Sequence, residues 1–462
     1  MIGKRQVLIF LEARILMYKF HLFVVLFFGM LLLQGCPTKP SVLPETGNIQ
    51  VTYTNATEIW LRVRVDSTST TGVKVYREDT PLATFHTSPL DTVVIDTGLT
   101  PNSQYKYYTV RLQDGDEVSP SSPVVSKTLP VTSHHINWSV DTLGTFGSYL
   151  NDVAIVNENN IWVVGQIVTD EYDSSTGTNY SEYNAARWEG NHWELLKILS
   201  GHTANTGIRY FSNNDIWVTS GLPIHWNGQQ WTLYHLWNMG ILNPDDGEVT
   251  SVWGSATDGV YFVGRSGTIV RYDGATFTRL ESGTTDWIID MGGTSASDLW
   301  VATYDDYPHH NAIRHWNGAQ WQERWHYQSG AWPPRDQTQP AGILSSVYVA
   351  SHAVFIGCNA LYTWIPSVHT GRLTLPSQVG WEPTWGTDLV RGTGVNDLFL
   401  VAGIGTHTVH WNGATWQSLV TLRQLDPGDT FHPTSIAVTP QQVVLAGYND
   451  ATGQAIVFRG SR

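Results

Sequence analysis

The sequence predicts an all-β fold: a small β-sandwich followed by a closed ring of seven repeated β units. Three observations carry that expectation. Charged residues make up only 14% of the chain, while glycine (42), tryptophan (21) and tyrosine (20) are abundant. That mixture suits short strands joined by tight turns. Beyond residue 40 no convincing run places apolar residues at i, i+3, i+4 and i+7, the helical signature. Finally, one phrase keeps returning: "HWNGQQW" (225–231), "HWNGAQW" (315–321) and "HWNGATW" (410–416), with looser copies "RWEGNHW" (187–193) and "RYDGATF" (271–277). A chain of 462 residues has room for two or three domains.

Residues 1–35 differ from everything that follows. Lys4, Arg5, Arg14 and Lys19 precede the apolar run "FHLFVVLFFGMLLL" (20–33), which leads into "LQGC" (33–36). A basic flank, a short apolar run and a small residue before the cut form an export signal. The alternative, a membrane-spanning anchor, needs about 20 apolar residues and finds fewer. Met17 offers a second start, with "MYKFHLFVVLFF" as its leader. Leu33, Gly35 and Cys36 resemble the lipobox of bacterial lipoproteins. The resemblance implies cleavage before Cys36, a diacylglyceryl thioether on its sulfur and a further acyl chain such as palmitate, which together anchor stably. Pro37 stands where an aspartate would retain the protein, which resembles the pattern sent to the outer membrane or cell surface of Gram-negative bacteria. The direction the protein then faces, periplasm or exterior, stays open. Cys358, in the apolar run "VFIGCNA", is expected to be a buried small hydrophobe.

Losing residues 1–35 removes four basic and one acidic residue, so 26 and 40 become 22 and 39, a balance of −17 with His neutral. Such a field disfavours nucleic acid and anionic lipid surfaces. It accommodates neutral glycans, cationic peptides or a divalent cation.

Residues 36–47 read as the lipidated cysteine and a Pro-containing tether. Over 48–130 come strand-like runs: "IQVTYT", "EIWLRVRV", "GVKVYRED", "DTVVIDTGL", "YKYYTVRL" and "VVSKTLP". Their even spacing suggests a sandwich. Leu99, Pro101, Tyr105 and Tyr107 in "LTPNSQYKYYTVRL" resemble the E–F corner and F strand of fibronectin type III domains. The resemblance implies that Tyr105 is the corner tyrosine, its hydroxyl bonded to backbone a few residues upstream, and that Trp60 is the buried aromatic of the second strand. The part expected of this domain is that of a spacer. Adhesion, the functional alternative, has no cell-binding tripeptide behind it.

A second phrase accompanies the first: "NNIWVVG", "NDIWVTSG", "DGVYFVG", "SDLWVATY", "HAVFIGC", "NDLFLVAG" and "QQVVLAG". Its markers Trp162, Trp217, Tyr261, Trp300, Phe355, Phe399 and Val444 are 39 to 55 residues apart. Each unit reads as an apolar strand, an Asn/Asp turn, the marker strand, a loop, a strand ending at Trp-Asn-Gly, and a last strand opened by the second Trp. Asn-Gly between strands predicts a type I′ hairpin with both central residues at positive φ. "LYTWIPS" around Trp364 is a degenerate copy and "IVFRG" (456–460) the seventh. Four antiparallel strands at this period resemble the blades of a β-propeller. Kelch and WD40 signatures are absent, and the sialidase Asp-box phrase is matched only in part. The likeness is to the Trp-Asp/Asn-Gly propellers of exported bacterial proteins. Unit seven lacks a fourth strand, while "HHINWSVDTLG" (134–144) carries Trp138 where Trp193 and Trp231 open that strand elsewhere. The N-terminal segment is therefore expected to complete the last blade, giving a seven-bladed propeller over 134–462. The tryptophans are expected to pack between blades, each burying about 150–250 Å².

Strand one-to-two and three-to-four turns share one rim and are short. All length variation falls on the other rim, in 166–185, 237–248, 304–312, 324–342, 377–385, 423–433 and 447–455. Insertions confined to one face mark the binding face of a repeat protein. Tyr304, Tyr307, Trp325, Tyr327, Trp332, Trp381 and Trp385 offer rings for stacking, and Asp305 and Asp306, with Asp245, Asp246 and Glu248, offer acceptors. The expected ligand is a glycan or a protein at the cell surface, the expected state a monomer. Two other readings remain open: a glycosidase of propeller class, pairing Asp305 or Asp306 with Asp388 or Asp429, and a scaffold within an outer-membrane assembly. No cofactor is expected. "NPDDGE" and "DPGDT" are oxygen-rich enough to leave structural calcium open, though neither matches an EF-hand, and the "HH" pairs lack zinc spacing.

Overall fold

The computed structural model describes residues 48–65, 70–199, 204–255, 259–305, 309–329, 340, 342–358, 360–374, 387–401, 407–425, 428 and 430–462. The segments expected as signal and tether, with Cys36, lie outside these residues.

The N-terminal strands are β1 (Asn48–Thr54), β2 (Glu58–Val65), β3 (Gly72–Arg77), β4 (Thr80–Phe85), β5 (Leu90–Thr97), β6 (Gln104–Gln113), β7 (Asp116–Pro120) and β8 (Val124–Lys127). They form one sheet in the order β1-β2-β5 and another in the order β4-β3-β6-β7, with β8 also on β6. The sequence pattern announces six of these strands and misses β4 and β7. β7 follows from Asp114-Gly115, whose φ angles of 52° and 96° make the two-residue turn that Asp-Gly favours. The Thr100 N–H donates to the Tyr105 hydroxyl at 2.9 Å. The buried Tyr107 hydroxyl donates to Asp96 at 2.8 Å.

The chain divides into two compact units. One holds 63–91 and 108–123; the other holds 50–62, 92–107 and 124–462. In the first, Val63, Val65, Val73, Val75, Val110 and Leu112 are buried. In the second, Trp60 is buried as expected, but its apolar surroundings differ. It meets Tyr53 edge-on with ring centroids 5.6 Å apart. Both join a cluster with Ile365, Val395, Leu398 and Val409. Arg372 donates to both Glu58 oxygens at 3.0 Å beside it.

Seven four-stranded antiparallel sheets fill the rest of the second unit. β9 (Asn137–Leu143) comes first in sequence. Sheet 1 is β10 (Tyr149–Asn157), β11 (Asn160–Thr169), β12 (Ser181–Trp188) and β13 (Trp193–Leu196); sheet 2 is β14 (Gly207–Ser212), β15 (Asp215–Thr219), β16 (Pro223–Trp226) and β17 (Trp231–Leu233). Sheet 3 is β18 (Val249–Ser255), β19 (Gly259–Gly264), β20 (Ile269–Tyr272) and β21 (Phe277–Leu280); sheet 4 is β22 (Trp287–Ser295), β23 (Asp298–Asp305), β24 (His309–Trp316) and β25 (Trp321–Ser329). Sheet 5 is β26 (Ser346–Ala350), β27 (Ala353–Gly357), β28 (Leu361–Ile365) and β29 (Thr370–Thr374); sheet 6 is β30 (Leu389–Gly394), β31 (Asp397–Val401), β32 (Thr408–Trp411) and β33 (Trp416–Ser418). A six-residue helix, α1 (Val420–Leu425), follows in a link that the sequence pattern leaves as loop. Sheet 7 is β34 (Phe431–Val438), β35 (Gln442–Asn449), β36 (Gln454–Ser461) and, in fourth place, β9. Trp138 lies opposite Gly460 in that last pair.

Neighbouring sheets share apolar cores: Trp162 of sheet 1 with Ile216 and Ile224 of sheet 2, Trp217 with Phe262 and Phe277, and Tyr261 with Ile288 and Leu299. The pattern continues with Trp300 against Val347 and Ile356, Phe355 with Leu398 and Val409, and Phe399 against Phe431 and Phe458. The seventh core returns to the start, joining Val444 and Val457 of sheet 7 to Val153 and Ile161 of sheet 1. An open array of seven sheets would have six such cores, so the array is closed, as in a β-propeller. The marker residue of each sheet faces the next sheet. The Trp pair of the phrase faces the previous one: Trp226 and Trp231 lie with sheet 1, and Trp316 and Trp321 with sheet 3.

Side chains on the innermost strands tie consecutive sheets at their unpaired backbone edges. Asp152 accepts the Ile208 N–H at 2.8 Å, Asp290 accepts the Val347 N–H at 2.8 Å, and Ser346 accepts the Val390 N–H at 3.2 Å. Arg391 of sheet 6 reaches past sheet 5, donating to both oxygens of Asp290 in sheet 4 at 2.9 and 3.0 Å.

The Trp-Asn-Gly turn is not the expected type I′ hairpin. Trp226 pairs with Trp231, so four residues bridge the strands. Gly228 has φ of 90°, and Asn227 is not among the residues with positive φ. The Asn227 Oδ1 accepts the N–H groups of Gln229 and Gln230, both at 3.0 Å. Asp273, Asn317 and Asn412 do the same in sheets 3, 4 and 6. A short acceptor side chain replaces the second left-handed residue.

Candidate binding surface

Antiparallel order places the variable loops and the sheet-to-sheet links on one rim and the Asn-capped turns on the other. The short-turn rim is consumed by its own chemistry. Besides the caps, the Trp226 indole N–H donates to the Asn213 carbonyl at 2.9 Å and Trp316 to that of Ala296 at 3.0 Å. A Cβ on Gly228 would lie 2.5 Å from Asn214 Oδ1, so the two turns of one sheet touch.

On the variable rim, sheet 4 brings part of the expected set together. The register opposes Trp287 to Tyr304, Tyr304 to Asn311 and Asn311 to Tyr327. Opposed residues share a sheet face, so Trp287, Tyr304 and Tyr327 line up with Asn311 in one row across the four strands near the rim. Trp325 opposes Ile313 two positions away, and Asp305 is exposed beside Tyr304. Asp306, Tyr307, Trp332, Trp381 and Trp385 lie outside the described residues, as do Asp429 and part of "DPGDT". Asp388 is raised in pKa by its surroundings' burial, with His432 opposing.

Sequence reasoning passed over Trp287 and Asp286 here and weighed His310 only as one of an "HH" pair. Trp287 stands at the start of β22, opposite a variable loop, and the Arg265 guanidinium lies 4.8 Å from its ring centroid. Buried Asp286 accepts from Thr303 Oγ1 at 3.2 Å and pairs with His310 Nδ1 at 2.6 Å. The signal for Trp287 was its place in the link "TTDWIID", on the rim already singled out. Asp286 and His310 carry no local signal, because only the register joins them.

The acidic candidates separate by environment. Asp246 accepts the Asn243 N–H at 2.7 Å and forms an ion pair with Arg279 at 2.8 Å. Burial alone would raise its pKa, but Arg279 and the backbone bond hold it below the usual carboxylate range. Asp173 is likewise held low, chiefly by Lys197 at 2.6 Å. Asp245 and Glu248 remain exposed. Among the described residues no three His, Cys, Asp or Glu side chains gather as a metal site. Cys358 is buried.

The exposed large apolar side chains of the seven sheets and their links favour this rim. Among the described residues, Phe146 (82% exposed), Tyr172 (64%), Met239 (48%) and Tyr180 (45%), on links or two-to-three loops, and Trp287 (37%), at the start of β22, all lie there, while Val140 on the outer strand β9 is the other. Exposed apolar side chains gathered on one face mark an interaction site.

Comparison with known proteins bears on the fold. No family model and no curated protein matches the chain. Among solved structures it is similar to one described as YCF48 bound to D1 peptide, at 14% identity and a TM-score of 0.52, over 72% of this chain and 97% of that one. It is also similar to an auxiliary nutrient binding protein from Bacteroides thetaiotaomicron (10% identity, TM-score 0.40, 91% of this chain and 99% of that one). A third, an auxiliary nutrient binding protein from Bacteroides ovatus, has 11% identity and a TM-score of 0.35, over 91% of this chain and 99% of that one. The first likeness agrees with the closed array of sheets: the chain carries a β-propeller fold.

Proposed function

We propose that this chain is an exported, lipid-anchored binding protein whose seven-bladed propeller, over 134–462, takes a glycan or protein ligand on its variable rim. Cys36 carries the lipid, and 48–130 forms a fibronectin type III-like spacer that holds the propeller off an outer membrane or cell surface. The observation that carries the binding role is the gathering of exposed aromatic and Met side chains on the rim whose loops vary in length. The opposite rim spends its polar groups on its own turns. The Thr100–Tyr105 bond supports the fibronectin-like reading, since it is the tyrosine-corner geometry. The binding partners named for the solved structures belong to those proteins; a peptide ligand here is consistent with the first.

A glycan array and a surface-protein capture with the purified protein test the reading. Trp287→Ala with Tyr172→Ala should abolish retention of any ligand found, while Asn213→Ala on the short-turn rim should not. Retention that survives the first pair and disappears with the second moves the site to the other rim and ends the proposal.

A further inference from the structure

The ligand of the variable rim can be narrowed by charge, on the reading that this rim binds at all. In sequence, the seven variable segments carry fourteen carboxylates against three arginines, a net −11 out of the −17 expected of the mature chain. In the sector from sheet 1 to sheet 4, the described cations are largely spent: Lys197 pairs with Asp173 and Arg279 with Asp246. Asp170, Glu182, Asp245, Glu248 and Asp305 are exposed. No ion pair or hydrogen bond holds their carboxylates among the described residues. Arg265, stacked on Trp287, is the exposed cation beside them. Among the described residues, the exposed apolar side chains Tyr172, Tyr180, Met239 and Trp287 of this rim lie in the same sector.

We infer that this sector docks a cationic polypeptide segment in which Lys or Arg alternates with aromatic or aliphatic side chains. The apolar side chains need an apolar counter-surface. The unpaired carboxylates repel anionic glycans and nucleic acid and steer cationic partners. A neutral glycan would satisfy the rings but leave five carboxylates with water alone. A divalent cation would need a convergence of ligands that the described residues lack.

The test uses the full mature chain and three immobilised probes: a 12-residue peptide alternating Lys and Phe, the same peptide with Glu for Lys, and neutral chito-oligosaccharides. The Lys–Phe peptide should bind, and the Glu–Phe peptide should not. Raising salt from about 50 to about 500 mM should weaken binding about tenfold or more, because surface charges are screened within about 10 Å at 0.1 M. Asp170→Asn, Glu182→Gln, Asp245→Asn and Glu248→Gln combined should weaken it about tenfold. Trp287→Ala should do so without removing the salt dependence, and Glu158→Gln on the opposite rim should leave binding unchanged. Equal binding of both peptides, or a combined variant that binds as the parent does, overturns the inference. If oligosaccharide binds and only Trp287→Ala removes it, the rim still binds but its partner is not cationic. If no probe or array ligand engages the rim, the broader reading falls as well.

Discussion

Asn227 spends its side-chain oxygen on two backbone N–H groups, which makes it a turn-former and not a ligand contact. Asn227→Ala should cost about 1 kcal/mol in denaturant unfolding, the usual worth of such a cap. Asn227→Asp should be nearly neutral, because Asp273 fills that role in sheet 3; an Asp variant as damaged as the Ala one refutes the capping account. The His of the phrase has a role too. His225, His315 and His410 stack on Trp217, Trp300 and Phe399 with centroids 4.1 to 4.5 Å apart, and each pairs with the Asp two residues before that ring. The sequence shows these residues repeating, but the spacing between Asp and His varies with the loop, so only the register reveals the pairs. In sheet 6 the motif gains a second imidazole: His134 Nδ1 lies 2.8 Å from His410 Nδ1. Burial and His410 lower the His134 pKa to about 4, and burial lowers that of His410 despite Asp397. Both folded values lie below the ordinary 6.5, so the unfolded chain takes up protons first. Stability is therefore full above about pH 6.5 and falls as pH drops toward 4. His134→Gln should flatten that part of the stability profile by about 1–3 kcal/mol relative to the parent, measured by denaturation at pH 7 and pH 4.5. Parallel profiles for the two proteins contradict the assignment.

At the scale of elements, β9 and β36 meet across more than three hundred residues of sequence, with Asn137 opposite Ser461 and Trp138 opposite Gly460. This pairing was readable from the stray Trp138 and the missing fourth strand, because a period of four strands leaves a countable remainder. Hairpins such as β6–β7 were readable in principle from Asp-Gly, yet their strand "DEVSP" has little apolar pattern, and β4 has less. Asn137→Cys with Ser461→Cys should form a disulfide across this edge pair. In the chain-entropy account so long a loop is worth about 6 kcal/mol, so the oxidised double variant should unfold at higher denaturant than its reduced form. Failure of the two cysteines to join on oxidation would contradict the pairing of Asn137 with Ser461.

For the whole molecule, the proposed lipid anchor is open to a direct test. Cys36→Ser should leave the protein unprocessed and without lipid, seen as loss of fatty-acid labelling and a larger precursor on a gel; a variant still lipidated refutes the lipobox. The closed array of sheets was legible because a repeat writes its own period. The rim was legible as a place, through its variable loops, but only partly as a site. Tyr304 and Tyr327 meet Trp287 through register, and nothing local in the sequence marks Asp286 for His310. The β9–β36 seam also sets an order of events. The first strand of the ring to be synthesised is the last to find its partner, since that partner lies some 320 residues further on. A chain stopped short of β36 leaves β9 and the last sheet with open edges, which invite pairing with other chains. Closure of the ring therefore waits until β36 has been made, and until then the exposed edges of β9 and the last sheet are the chain's most vulnerable backbone.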